Sequence, residues 1–197
     1  MRLILASASK IRSALLDRAG VAHEALPARV DEAAIRAALT AEGAAPRDLA
    51  DALAEAKARK LSEKFPEAMV IGCDQVLALD REVFAKPETP AEAEAQLRQL
   101  RGRRHSLMSA AVIYHDRQPQ WRHVGVAHLT MRDFSDAYLS GYLARNWQSL
   151  RESVGGYKLE EEGARLFARV EGEYFTVLGL PLIDILTYLS LRGVIEA

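Results

Sequence analysis

Seven polar residues stand where apolar or helical segments begin, end or break: Ser7, Ser9, Arg12, Glu32, Lys57, Asp74 and Lys86. Three cations and two hydroxyls can hold a polyphosphate, and two carboxylates can hold Mg²⁺ or Mn²⁺ or orient a water. Asp74 is the most informative of them. It sits in AMVIGCDQVLALD, where Ala68 to Ile71 and Val76 to Leu79 read as two apolar half-strands interrupted by Gly72, Cys73, Asp74 and Gln75. A carboxylate inside a core element needs a cation or a donor, so the interruption is either a site or a solvated turn between two hairpin strands. Gly72 before it points to a bulge or a close backbone approach.

The elements that must position these groups follow from periodicity. Leu3 to Leu5 is a short buried strand, Ala6 to Ser9 a small-residue loop, and a helix opens at about Lys10, carrying Ile11, Leu15 and Leu16 inward. A helix's first turn presents free amides and a positive dipole end, and Lys10 and Arg12 add charge there, so a phosphate suits it. Neither a P-loop nor a dinucleotide fingerprint is matched, and Ser9 also qualifies as a plain N-cap. Val21 to Leu26 reads as a second strand closed by Pro27, and Asp31 and Glu32 stand at the start of an Ala-rich helix, with Asp31 suited to capping it. The run DLADALAEAKARKLSEKF is amphipathic, and Lys57 falls on its apolar side, where an ammonium needs an anion or a water-filled cleft.

Downstream, Asp80 and Arg81 mark a hairpin turn, Pro87 fixes the backbone beside Lys86, and Thr89 to Glu92 start a helix ending near Gly102. Leu107 to Tyr114 and Val124 to Met131 read as strands joined through a turn at Asp116 to Pro119, and a helix begins at Ser135. His105, at a strand entrance, reads as structural rather than catalytic. Gly155 to Gly163 forms a loop with special backbone angles and three successive acids. Arg165 to Val170 and Phe175 to Val177 are expected as strands, and Leu182 to Leu191 as the closing helix.

Composition narrows the class. In 197 residues, 26 Lys plus Arg oppose 27 Asp plus Glu, so no basic field favours nucleic acid. A single cysteine, Cys73, excludes an internal disulfide and a cysteine-rich zinc site. No apolar run reaches membrane-spanning length and no leader pattern precedes the first strand, so the expectation is a cytoplasmic protein without a membrane partner. No internal repeat or low-complexity linker divides the chain, which reads as a single domain over 1–197.

The motifs resemble, in order, those of the Maf family of nucleoside triphosphate pyrophosphatases. LASAS with Arg12 is similar to its opening Ser-x-Ser-Pro-x-Arg, and Val30-Asp31-Glu32 to its Val-Asp-Glu. Ala54 to Ala58 resembles its Ala-x-x-Lys-Ala, Gly72-Cys73-Asp74 its Gly-x-Asp, and Lys86-Pro87 its Lys-Pro. GGYKLEEEG and EGEYFTVLGLPL resemble its late loop and closing motif.

The resemblance implies an α/β fold, similar to inosine triphosphatases, with an elongated mixed sheet, flanking helices and two lobes around a central cleft. It implies a homodimer that hydrolyses the α–β phosphate bond of a nucleoside triphosphate to the monophosphate and pyrophosphate with a divalent metal cation, Mg or Mn. Carried over by position, Asp74 is the proton acceptor and Glu32 assists, both touching metal. Ser7, Ser9, Arg12, Lys57 and Lys86 bind the substrate's phosphates, and Gln75 and Glu160 resemble the subgroup acting on 7-methyl-GTP. Lys10 stands in place of the motif's proline, Ile11 in place of an arginine or tryptophan, Ala85 in place of a glycine, and Glu161 where that subgroup tends to have glycine. House-cleaning of the nucleotide pool is one expected role. A regulator of cell division or septum inhibition using nucleotide as a signal is the alternative.

Overall fold

The computed structural model describes residues 1–196. Seven strands pair in the order β2, β1, β3, β5, β6, β7, with β4 on β3, and helices flank this mixed sheet. In chain order they are β1 (Leu3–Ala6), β2 (Glu24–Ala25), β3 (Met69–Leu79), β4 (Glu82–Phe84), β5 (Arg104–His115), β6 (Gln118–Met131) and β7 (Phe167–Glu171). The helices are α1 (Lys10–Arg18), α2 (Glu32–Ala41), α3 (Pro46–Lys64), α4 (Pro90–Leu100), α5 (Asp136–Leu150), α6 (Tyr174–Val177) and α7 (Leu182–Leu191). The chain divides into two compact units: Met1–Gln75, Met108–Gly125 and Glu173–Ala197 form the first, Val76–Leu107 and Val126–Gly172 the second.

In the first unit, β1 pairs in parallel with both β2 and β3, Leu3 to Ala6 lying opposite Met69 to Gly72. Strands so placed are apolar on both faces, and the four residues of β1 are all buried. The core gathers Leu5, Leu16, Met69, Ile71, Ile113, Leu180, Ile185 and Leu189 from strands and helices that are distant in sequence. A Cβ on Gly72 would lie 2.1 Å from the Ala54 carbonyl oxygen and 2.5 Å from the Ala58 amide nitrogen. The missing side chain therefore lets β3 press against the backbone of α3. That contact brings Lys57 within reach of Asp74.

In the second unit, β4 returns antiparallel on the end of β3 after a turn in which Asp80 takes φ of 57°. β7 pairs antiparallel with β6, with an irregularity between Thr130 and Met131. α4 starts at Thr89, whose hydroxyl accepts from the Glu92 amide while the Glu92 carboxylate accepts from the Glu88 amide. Its buried residues Ala93, Leu97 and Leu100 belong with Leu139, Tyr142, Leu143, Leu166 and Phe167 to the apolar residues of this unit. His105 is buried there, 2.7 Å from the Tyr157 hydroxyl, as its structural assignment requires. Desolvation pushes its imidazole down to about 4.

Three expectations are corrected. Val21 to Leu26 yields only the two-residue β2, because parallel pairing to β1 is confined to Glu24 and Ala25. Phe175 to Val177 is not a strand but part of the short helix α6, whose β-forming residues are overruled by tertiary bonds to the carbonyls of Thr176 and Val177. The two half-strands around Asp74 are one continuous strand, so the polar residues lie within β3 and the solvated-turn reading is excluded.

Candidate active site

The first unit joins Glu32, Lys57 and Asp74 in one ion-paired group and sets Ser7 and Arg12 beside it, through the carbonyl of Cys73 next to Asp74. Lys57, on α3, has only 8% of its surface exposed, and Asp74, on β3, only 5%. The Lys57 ammonium donates to Asp74 Oδ1 at 2.6 Å and lies 2.9 Å from Glu32 Oε1. Burial alone would lower the lysine's pKa, but the charges and hydrogen bonds of Asp74 and Glu32 outweigh it and hold the pKa above its ordinary value. Lys57 is thus a fixed cation. Glu32 comes from the first residue of α2, whose N-cap is Asp31: its carboxylate accepts from the Ala34 amide, the capping role expected of it.

Beside this group, Arg12 extends from the first turn of α1. Its Nε donates to the Gly179 carbonyl at 2.8 Å, and its Nη1 donates to the Cys73 carbonyl at 3.2 Å and reaches Ser7 Oγ at 3.5 Å. Gly179 has φ of 98°, and a Cβ there would meet the guanidinium at 3.2 Å, so a glycine is what the arginine's approach requires. The bond to Cys73 places Arg12 one residue from Asp74 along β3. Ser7 Oγ accepts from the Ser9 amide, which shapes the small-residue loop. Ser9 occupies the N-cap position of α1, as the plain-cap reading has it, although its side chain makes no capping bond.

Gln75 points elsewhere. Its amide nitrogen donates to Ser109 Oγ and to the carbonyls of Thr176 and Val177 at 3.0 to 3.1 Å, which ties α6 to β3. The amide nitrogen of this expected substrate-binding residue is committed to the fold. Lys86 and Glu160 belong to the second unit. Lys86 is exposed before buried Pro87. Of the three successive acids, Glu161 accepts from Ser149 and Glu162 from Arg145 and Asn146. These donors hold the Glu162 carboxyl down at about 2. Glu160 is exposed, as is Glu161.

One member of the network was missed by the sequence reading. Arg36, one helical turn beyond Glu32 on α2, reaches Asp74 Oδ2 at 3.3 Å. The available signal was its i, i+4 spacing from Glu32, which puts both on one helix face. An arginine on an Ala-rich helix otherwise reads as solvated.

Asp74 and Glu32 converge on one cation, so both carboxylates can reach a common positive centre. Two hard oxygen donors fit Mg²⁺ or Mn²⁺ when phosphate oxygens and waters complete the shell. Among the described residues no group of three His, Cys, Asp or Glu forms a fuller ligand set.

The family model for Maf-like proteins matches residues 2–191. The chain belongs to the Maf family. A relative named nucleoside triphosphate pyrophosphatase, from Ruegeria pomeroyi, is 59% identical over 98% of this chain and 98% of its own. A relative named 7-methyl-GTP pyrophosphatase, from Rhizobium meliloti, is 48% identical over 99% of this chain and 98% of its own. A crystal structure of a nucleoside-triphosphatase / dITP/XTP pyrophosphatase from Mycobacterium abscessus aligns with 100% of this chain and 98% of that one, at 14% identity and a TM-score of 0.44. The Maf motifs around Arg12, Glu32, Lys57 and Asp74 coincide with the polar network of the first unit.

Proposed function

We propose that the protein is a nucleoside triphosphate pyrophosphatase, hydrolysing the α–β phosphate bond to release a nucleoside monophosphate and pyrophosphate. The observation that carries this reading is a buried carboxylate, Asp74, bonded to the fixed cation Lys57 in a chain of a pyrophosphatase family. Asp74 accepts the proton of the attacking water. Lys57 and Arg12, with the Ser7 and Ser9 hydroxyls and the amides at the start of α1, hold the phosphate oxygens on which charge accumulates. Lys86 is a further phosphate-binding cation and Glu160 an acceptor for the edge of the base. Asp74 and Glu32 would hold a divalent cation accompanying the triphosphate; when bound it supplies neutralisation of phosphate charge. The protein works in the cytoplasm as a homodimer, and 7-methyl-GTP is among its substrates.

The test is pyrophosphate release from a panel of canonical and 7-methylated triphosphates with Mg²⁺ or Mn²⁺. Turnover is expected with the wild type and lost, by roughly 10² to 10⁴-fold, in Asp74→Asn with an unchanged circular dichroism spectrum. A fully active Asp74→Asn variant would remove Asp74 from the mechanism. Glu160→Ala is expected to change the ranking of bases. An unchanged ranking would reject its role.

A further inference from the structure

The network poses a problem that its motif residues do not solve. A water activated by Asp74 must reach a carboxylate oxygen, yet Asp74 is only 5% exposed and both of its oxygens already face cations, Lys57 on Oδ1 and Arg36 on Oδ2. A carboxylate oxygen can accept more than one bond, so the side that opens to water is the one whose partner is held less firmly. The two are not alike. The Lys57 side chain is 10% exposed, 2.6 Å from Asp74 and anchored on α3, a helix with eight buried residues. The Arg36 side chain is 31% exposed, its bond is the longer at 3.3 Å, and α2 has no buried residue at all. Solvent therefore approaches Asp74 from the Arg36 side, and Arg36 is the partner able to leave.

We propose that Arg36 is a triphosphate-binding residue that shields Asp74 Oδ2 until substrate arrives. An incoming phosphate offers the guanidinium a bidentate, doubly charged acceptor in place of a single long bond to a carboxylate oxygen. Arg36 swings from Oδ2 to a phosphate oxygen, and the vacated side of Asp74 admits water. The water oxygen then forms its bond to phosphorus as the bridging P–O bond breaks, one water proton passes to Oδ2, and pyrophosphate leaves with the bonding pair. The base is exposed only when there is a tail of phosphates to attack. The inference rests on the pyrophosphatase reading and adds to it a residue and an order of events.

The experiment compares wild type, Arg36→Ala and Arg36→Lys by steady-state kinetics on a nucleoside triphosphate with Mg²⁺. In parallel, calorimetric binding of the α,β-methylene triphosphate and of the corresponding monophosphate is measured for each. Because α2 buries no side chain, the substitutions leave the core untouched, and Ala and Lys are both good helix formers. Arg36→Ala is expected to raise KM and weaken binding of the methylene triphosphate by roughly tenfold to hundredfold, with kcat and monophosphate affinity little changed. Arg36→Lys should recover only part of the loss, because an ammonium is a point contact. An Arg36→Ala enzyme with wild-type KM and wild-type triphosphate affinity would overturn the inference, as would a fall in kcat alone. If the wild type itself neither binds nor cleaves any triphosphate, the pyrophosphatase reading fails and this inference with it.

Discussion

A lysine that is nearly sealed from solvent and bonded to two carboxylates sets the character of the first unit. Removing it leaves Asp74 and Glu32 without their shared cation, and breaking a buried ion pair from one side is far costlier than losing an exposed one. Lys57→Met is therefore expected to destabilise the protein by about 3 kcal/mol in urea unfolding, a value below the top of the usual range because Arg36 still neutralises Asp74. Since the folded-state pKa of Lys57 is raised, the stabilisation it provides is complete below the unfolded lysine value. It is lost only as pH rises through the higher folded value. Wild type should thus lose stability relative to Lys57→Met on the alkaline side and not near neutrality. Arg36, by contrast, was not legible beforehand. Its partner lies 38 positions away, a pairing that spacing on α2 cannot reveal.

At the scale of elements, the site depends on β3 running unbroken past α3. Gly72 is the contact that permits it, and Gly72→Ala would drive a Cβ into backbone atoms of Ala54 and Ala58 that cannot rotate away. The expected result is destabilisation of several kcal/mol, about 2 or more, together with a loss of activity exceeding that of a surface substitution. Wild-type melting and activity in this variant would show that the close approach is not required. The apolar periods of the sequence placed α1, α3, α4, α5 and α7 well, because each buries a stripe at helical spacing. They failed where tertiary bonds decide. Asp74 looked like a break in β3 because its partners, Lys57 and Arg36, come from other elements. Phe175 to Val177 looked like a strand because nothing local reveals that Gln75 holds their carbonyls in a helical turn.

For the whole molecule, stability and chemistry respond to conditions through different groups. His105 in the second unit takes up its proton at about 4, whereas in the unfolded chain it does so near 6.5. Below pH 6.5 the unfolded state gains a proton that the folded state refuses, so stability falls between pH 6.5 and about 4, by about 3 kcal/mol at full extent. His105→Gln keeps a neutral hydrogen-bonding group for Tyr157 and should flatten that acid slope in urea titrations at successive pH values. An identical slope would exonerate the histidine. With a net charge of -1, no large overall field helps to draw in a tetra-anionic substrate. Binding must come from local cations, to which the proposed metal would add. Chelation should abolish turnover, and added Mg²⁺ or Mn²⁺ should restore it without altering the circular dichroism spectrum.

Arg12, Glu32 and Lys57 were recoverable from sequence because each is a charge at the start or on the apolar side of a helix, and Asp74 because it is a charge inside an apolar run. The use made of Gln75 and Arg36 was not, since it depends on contacts across the fold. What most directly tests the central claim is phosphorus NMR of a nucleoside triphosphate incubated with the protein and Mg²⁺, run beside Asp74→Asn. Monophosphate and pyrophosphate as the sole products, absent with the variant, are the expected result; diphosphate with inorganic phosphate, or equal cleavage by Asp74→Asn, would contradict the account.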